Sequence, residues 1–242
     1  MNLAIDIGNT AVKWAAFDGK SMVESGIWTA ESGRWNVESG KWKATDNAIA
    51  CVSGESSVLE SISEALGIRI PTFGPDSPLP IKLDYKTPAT LGPDRIAAAC
   101  GAWSLHPAEA SLIIDAGTCI TVDYIDAEGT YHGGAIMPGL GMSLRALHDY
   151  TAKLPLVDPG TTAAPRIPGR STTESIIAGT LGSTMLALAG FVTLYRQRSP
   201  ELHVILTGGD ARRLTAAGVG GWETVPMLTL AGLNEIMLYN EK

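Results

Sequence analysis

Residues 2–19 read NLAIDIGNTAVKWAAFDG. Leu3-Ala4-Ile5 is a short apolar run that ends on a carboxylate, Asp6. Gly8 follows, then Asn9-Thr10, then a second strand-like run. Residues 111–134, SLIIDAGTCITVDYIDAEGTYHGG, repeat the plan. Ile113-Ile114 leads into Asp115, then Gly117-Thr118, then another strand. A single turn of this kind is a loose pattern, because Asp, Gly and Asn are ordinary turn residues. Two of them, 109 residues apart from Asp6 to Asp115, point to a duplicated device.

The rest of the chain fits around these two hairpins. NAIACVSG (47–54) reads as a strand ended by glycine. SVLESISEALG (57–67) reads as an amphipathic helix stopped by Gly67. A proline-rich connector covers 70–90, and a helix is expected from Pro93. The second half restarts with strands at 111–136, a Gly/Pro loop MPGLGM (137–142) and a helix SLRALHDYTAKL (143–154). LHVILTGGDARRL (202–214) reads as strand, Gly-Gly turn and helix start. The near-repeat ESGRW and ESGKW (31–35 and 38–42) is expected to be a polar, Trp-anchored strand or short helix. This order describes an α/β protein of two similar halves, 1–105 and 106–242.

The chain has 242 residues, 45% of them hydrophobic and 18% charged, with a net charge of −7. That composition is globular, and the acidic balance disfavours nucleic acid as a partner. Three cysteines without C-x-x-C spacing fit a reducing compartment better than a disulfide framework or a zinc site. No basic-then-apolar leader pattern opens the chain, so a cytoplasmic location is expected. Ser175–Tyr195 has no charge and is long enough to span a bilayer. Its large side chains, Ile177, Leu181, Met185, Leu188, Val192 and Tyr195, recur at helical spacing, with glycine and hydroxyl residues opposite. A helix buried against a neighbour is therefore expected, and no membrane role.

Glycine in the first turn lets backbone amides approach a ligand. With the Thr10 hydroxyl and the Lys13 ammonium nearby, the turn could hold phosphate oxygens, and Asp6 the Mg²⁺ that accompanies them. No G-x-x-x-x-G-K-[ST] or G-x-G-x-x-G motif is present. At GPDRIAAA, Gly92 fits a helix N-cap and Pro93 the first helical position. Asp94 then suits the helix dipole. It could equally accept a proton from a substrate hydroxyl, with Arg95 beside it holding an anion. Thr207-Gly208-Gly209 would let a flat group approach the backbone, or could simply serve its own turn. The four histidines show no mutual spacing that suggests a metal site.

DIGNTAVK (6–13), Tyr85 and Pro88 ahead of LGPDR (91–95), DAGTCITVD (115–123), GGAIMPGL (133–140) and TGG (207–209), in this order, resemble the type III pantothenate kinases. The resemblance implies two actin-like (ribonuclease H-like) halves with an active-site cleft between them. It implies ATP-dependent phosphorylation of pantothenate at its 4′ hydroxyl, the first step toward coenzyme A. Mg²⁺ with ATP and a monovalent cation, K⁺ or NH₄⁺, are the implied cofactors. Carried over by motif, Asp6, Ile7, Gly8, Asn9, Thr10, Ala11, Val12 and Lys13 form the ATP-phosphate turn, and Thr118 is a further ATP contact. Asp94 is the general base within the substrate run Gly92, Pro93, Asp94 and Arg95. Tyr85 walls the pantothenate pocket, and Asp115 is the monovalent-cation ligand. Thr172 matches a family threonine that reaches pantothenate across a homodimer, with Ser171 where the family has asparagine and Thr173 adjacent. Rival readings are a same-fold kinase for another small hydroxy acid and a non-catalytic relative. Retention of Asp6, Asp94 and Asp115 argues against the latter.

Overall fold

The structure is a computed structural model that describes residues 1–28, 30, 31, 34, 35, 47–74, 76–158 and 164–241. The near-repeat at 31–42 lies largely outside them. The chain divides into two compact units. The first comprises Met1–Ala108, Ile125–Gly133 and Met227–Lys242; the second comprises Glu109–Tyr124 and Gly134–Pro226. The expected single division near residue 105 lies beside the first crossing, and the chain crosses again at three later points.

In the first unit, β1 (Asn2–Ile7) pairs antiparallel with β2 (Val12–Asp18), which pairs with β3 (Ser21–Trp28). On its other side β1 runs parallel to β6 (Asn47–Val52), giving the order β3-β2-β1-β6. Two short segments, β4 (Ala30–Glu31) and β5 (Arg34–Trp35), pair with each other. Strand residues alternate faces. Leu3, Ile5 and Ile7 therefore pack with Trp14, Trp28 and, from helix α1 (Ser56–Leu66), Ile62 and Leu66. Ala4 and Asp6 face the other way, where α7 (Leu228–Asn240) packs on β1 and against α2 (Pro93–Leu105). Helix α1 ends, as expected, at a left-handed Gly67.

Helix α7 belongs to the first unit although it closes the chain, and the expectations above did not include it. It is apolar on all sides and buried at Leu228, Leu230, Leu233 and Ile236. It crosses α2 where two glycines remove side chains. A Cβ on Gly232 would stand 1.7 Å from the Ala97 carbonyl oxygen, and one on Gly101 would stand 2.7 Å from that of Leu228. Buried Asn234 ties α7 to the sheet, donating to the Gly19 carbonyl (2.8 Å) and accepting from Asn2 (3.2 Å).

The second unit repeats the plan. β8 (Ser111–Ala116) lies between β9 (Cys119–Ile125, in this unit to Tyr124) and a parallel β11 (His203–Thr207), with β10 (Thr130–Pro138, in this unit from Gly134) beyond β9 and β12 (Glu223–Thr224) beyond β11. The order β10-β9-β8-β11 matches β3-β2-β1-β6, with Asp115 and Asp6 at the ends of equivalent strands. Leu112, Ile114 and Ala116 pack under Leu181, Leu188 and Val192, so Asp115, like Asp6, faces away from that core.

Two sequence expectations need correction. The expected MPGLGM loop is absent: β10 runs to Pro138, Gly139 caps, and α3 spans Leu140–Asp149 rather than 143–154. Glycine needs no loop here, because its missing Cβ lets it lie against the Gly117 and Thr118 carbonyls, 2.3 and 2.4 Å from where that Cβ would be. The uncharged segment forms a helix from Thr172 to Arg198, long and apolar enough by composition to cross a membrane. It comprises α4 (Thr172–Ile177), a π turn (Ala178–Gly182) and α5 (Ser183–Arg198). The expected large-residue stripe does pack in the core. The opposite face is open: Leu186 is 69% and Leu194 60% exposed, among Ala189, Gly190 and Thr193. The second unit also contains α6 (Ala211–Ala216).

Candidate active site

The first turn closes with the Gly8 N–H donating to the Ala11 carbonyl at 3.1 Å. The Ile7 carbonyl accepts from both Ser53 and Gly54 N–H groups at 2.9 Å, pinning the loop after β6 against the turn. Gly54 permits this approach, since a Cβ there would stand 2.6 Å from the Gly8 carbonyl oxygen. A cavity of about 450 Å³ lies against the turn, lined by residues 7–12 together with Ile27, Trp28, Glu55 and Val58.

Strand register places three polar residues in one row. Asp6 is opposite Lys13 on β2 and opposite Cys51 on β6. Register partners share a face of a sheet, so all three side chains leave on the same side. The Cys51 thiol donates to Asp6 Oδ1 at 3.2 Å. Burial raises the Asp6 pKa; the Cys51 hydrogen bond and the Lys13 charge pull it down, and the Asp94 charge adds to the rise. Burial pushes the Cys51 thiol well up, and the Asp6 charge adds to this.

Asp94 sits in the first turn of α2, with Gly92 as N-cap and Pro93 at the first helical position, as expected. Its Oδ1 accepts from the Arg95 N–H at 2.9 Å. The helix-start role thus occupies one oxygen, and Oδ2 accepts no hydrogen bond from the described residues. Arg95 itself is buried and engaged. Tyr85 follows the short β7 (Lys82–Leu83), which pairs with Thr130 and Tyr131. Its ring packs on Gly133, where a Cβ would stand 2.9 Å away, and lies 6.1 Å from the Tyr131 ring. His132 joins this strand pair through Asp126 (2.6 Å) and Asp84 (3.1 Å).

In the second unit, Asp115 is the penultimate residue of β8 and partly buried, and Thr118 is exposed at the turn. Gly208 adopts a φ of 93° and lies against this corner: a Cβ there would stand 2.4 Å from both Asp115 Oδ1 and the Ala116 carbonyl oxygen. The glycine of the TGG motif therefore serves both its own turn and close approach to an oxygen-lined corner. Thr172 and Thr173 are exposed at the start of α4. Ser171 caps that helix, accepting from the Glu174 N–H at 3.2 Å, while Glu174 accepts from the Arg170 N–H at 2.6 Å. The serine hydroxyl thus satisfies one of the free N–H groups of the helix start, which explains a serine at that position.

Asp6 suits Mg²⁺ as a hard carboxylate with one oxygen held by the thiol and the other accepting no hydrogen bond from the described residues. A single carboxylate plus phosphate and water ligands is a common magnesium donor set. The Asp115 and Ala116 oxygens are likewise of the type a monovalent cation takes. Cys51, Gly54 and Gly139 were not singled out as site residues from sequence, because only strand register or a missing Cβ gives them their place.

Residues 2–194 match the family described as type III pantothenate kinase. A Phocaeicola vulgatus protein named type III pantothenate kinase is 38% identical over 245 residues, covering 100% of both chains. One of that name from Bacteroides fragilis is 39% identical over 245 residues, covering 99% of this chain and 98% of its own. A solved Campylobacter jejuni structure, described as a Baf family transcriptional activator, aligns with a TM-score of 0.61 at 18% identity, covering 99% of this chain and 98% of its own. The activator of 2-hydroxyisocaproyl-CoA dehydratase from Clostridium difficile aligns at 0.50, also 18% identical, covering 99% and 94%. These structures bear on the α/β, actin-like fold alone. With a family match over most of the sequence and relatives alike along its whole length, this chain belongs to the type III pantothenate kinase family.

Proposed function

We propose that the chain transfers the γ-phosphoryl group of ATP to the 4′ hydroxyl of pantothenate, the step that opens coenzyme A synthesis. Family membership supplies the substrates. The observation that carries the chemistry is a pair of carboxylates in one unit: Asp6, in a row with Lys13 and Cys51, and Asp94, at the start of α2. Asp94 keeps an oxygen clear of its own helix cap and accepts the hydroxyl proton. As the alcohol oxygen bonds to the γ-phosphorus, the bond to the β,γ-bridging oxygen breaks and ADP leaves. Asp6 and Lys13 hold the triphosphate end of the nucleotide with the backbone of residues 7–12. Mg²⁺ on the phosphates neutralises their developing charge when bound.

Gly92, Pro93 and Arg95 shape the pantothenate site, with Tyr85 as a wall. In the second unit, Thr118 contacts ATP, and Asp115 with the Ala116 carbonyl holds K⁺ or NH₄⁺. The open apolar face of α5 is the contact between two copies. Thr172, exposed at the start of α4, reaches the pantothenate of the other copy. Such a protein works in the cytoplasm.

A coupled assay of ADP release, with and without pantothenate and K⁺, tests the activity. Turnover that requires pantothenate and yields a phosphate monoester is expected; release of ADP indifferent to pantothenate would refute the assignment. Mixing an Asp94→Asn chain with a Thr172→Arg chain tests the shared site. Each is inactive alone, and their heterodimer should regain activity at the one site that holds both native residues. Heterodimers that form and stay inactive would refute sharing.

A further inference from the structure

We infer that Cys51 is a positioning residue for Asp6: its thiol hydrogen bond fixes the carboxylate so that Oδ2 is presented to the nucleotide and its metal. The inference rests on the proposed role of Asp6. Nothing in the motifs that mark the family includes Cys51, and it lies 45 residues from Asp6 in sequence. The two are brought together by parallel pairing of β1 and β6, in direct register. Cys51 is fully buried, and its thiol lies 3.2 Å from Asp6 Oδ1. Asp6 is flanked on the other strand by Lys13, which carries the positive charge. A carboxylate with a cation on one side and no donor on the other could rotate its free oxygen toward the lysine. The thiol opposes that rotation by occupying Oδ1. A thiol is also a weak donor, so it orients the carboxylate while drawing little of its charge away from a hard cation.

The test compares Cys51→Val, Cys51→Ala, Cys51→Ser and Asp6→Asn. Valine retains the bulk of the side chain and removes the donor; alanine removes both; serine keeps a donor. The readouts are the dissociation constant of the Mg²⁺ complex of a non-hydrolysable ATP analogue, measured by calorimetry without pantothenate, and KM for each substrate. Loss of one modest hydrogen bond should weaken nucleotide binding about 3–10-fold in both Val and Ala variants. Serine should restore it to within about twofold, and pantothenate KM should hold throughout. Analogue binding by Cys51→Val as tight as the parent's, or equal losses in Ser and Val, would overturn the inference. The Asp6→Asn arm separates the two layers. Unchanged binding there refutes the role of Asp6 itself; binding lost there but kept in Cys51→Val refutes only the positioning role.

Discussion

Replacing Gly232 with alanine should damage catalysis from a position that touches no substrate. Gly232 lies in α7 where it crosses α2, and the new Cβ would stand 1.7 Å from the Ala97 carbonyl oxygen. Lengthening 1.7 Å to the 3.0 Å minimum seen for real Cβ contacts requires the backbones to part by about 1.3 Å. Both sides of this contact are main chain, so no rotamer change relieves it. Overpacking of this kind costs about 1–3 kcal/mol. Alanine's better helix propensity returns roughly 1 kcal/mol at most. At about 2–4 °C per kcal/mol for a chain of this size, Tm should fall by several degrees. Ala97 is three residues beyond Asp94 on the same rigid helix, so Asp94 moves with it. Misplacement by about 1 Å can cost on the order of 10²-fold in rate. The assay is ADP release at saturating substrates, with Tm and helix content measured in parallel. Gly220→Ala, where an added Cβ meets nothing within 4 Å, is the matched control. A Gly232→Ala protein that melts with the parent and turns over at the parent's rate would refute the view of α2 as a carrier held in place by α7.

Asp6→Asn should abolish activity yet stabilise the fold at neutral pH. Burial raises the Asp6 pKa, so the folded chain holds this proton more tightly than the unfolded chain. Stability is therefore lost as pH rises from the unfolded value, about 3.9, through the raised folded one, and the penalty is complete above it. The Asn variant should melt above the parent at pH 7.5, with the gap closing toward pH 4; an Asn variant that melts lower at pH 7.5 would contradict the sign. Asp115→Ala should lower the rate by about 10²-fold and abolish any preference for K⁺ over Na⁺. A parent enzyme equally active in either salt would count against cation binding there.

The hairpins around Asp6 and Asp115 were legible because they rest on short-range signals: an apolar run, a carboxylate, a glycine. The same holds for Gly92-Pro93-Asp94, whose helix-start chemistry fits in four residues. What the sequence hid depends on long-range pairing. Cys51 joins Asp6 only through strand register, and two parallel strands leave no local trace of which residues meet. Helix α7 is apolar on every side, so it lacks the one-sided stripe that marks a surface helix, and its destination against α2 is set by Gly101 and Gly232. MPGLGM read as a loop because proline and glycine usually break structure. Here Pro138 is the last residue of a strand and Gly139 packs on another turn. The large-residue stripe of the Thr172–Arg198 helix was read directly from its spacing; the exposed leucines opposite could be found only in three dimensions.

The account turns on whether Asp94 takes the proton from the substrate hydroxyl, and the kinetics of Asp94→Asn measure that most directly. Asparagine preserves the shape of the side chain and leaves an oxygen to accept from the Arg95 N–H, so the helix start is retained. The account predicts kcat lower by roughly 10²–10⁴-fold, with Tm and the affinity for the Mg²⁺–ATP analogue unchanged. Turnover near that of the parent, with the loss appearing in Tm instead, would contradict it and reduce Asp94 to a helix-capping residue.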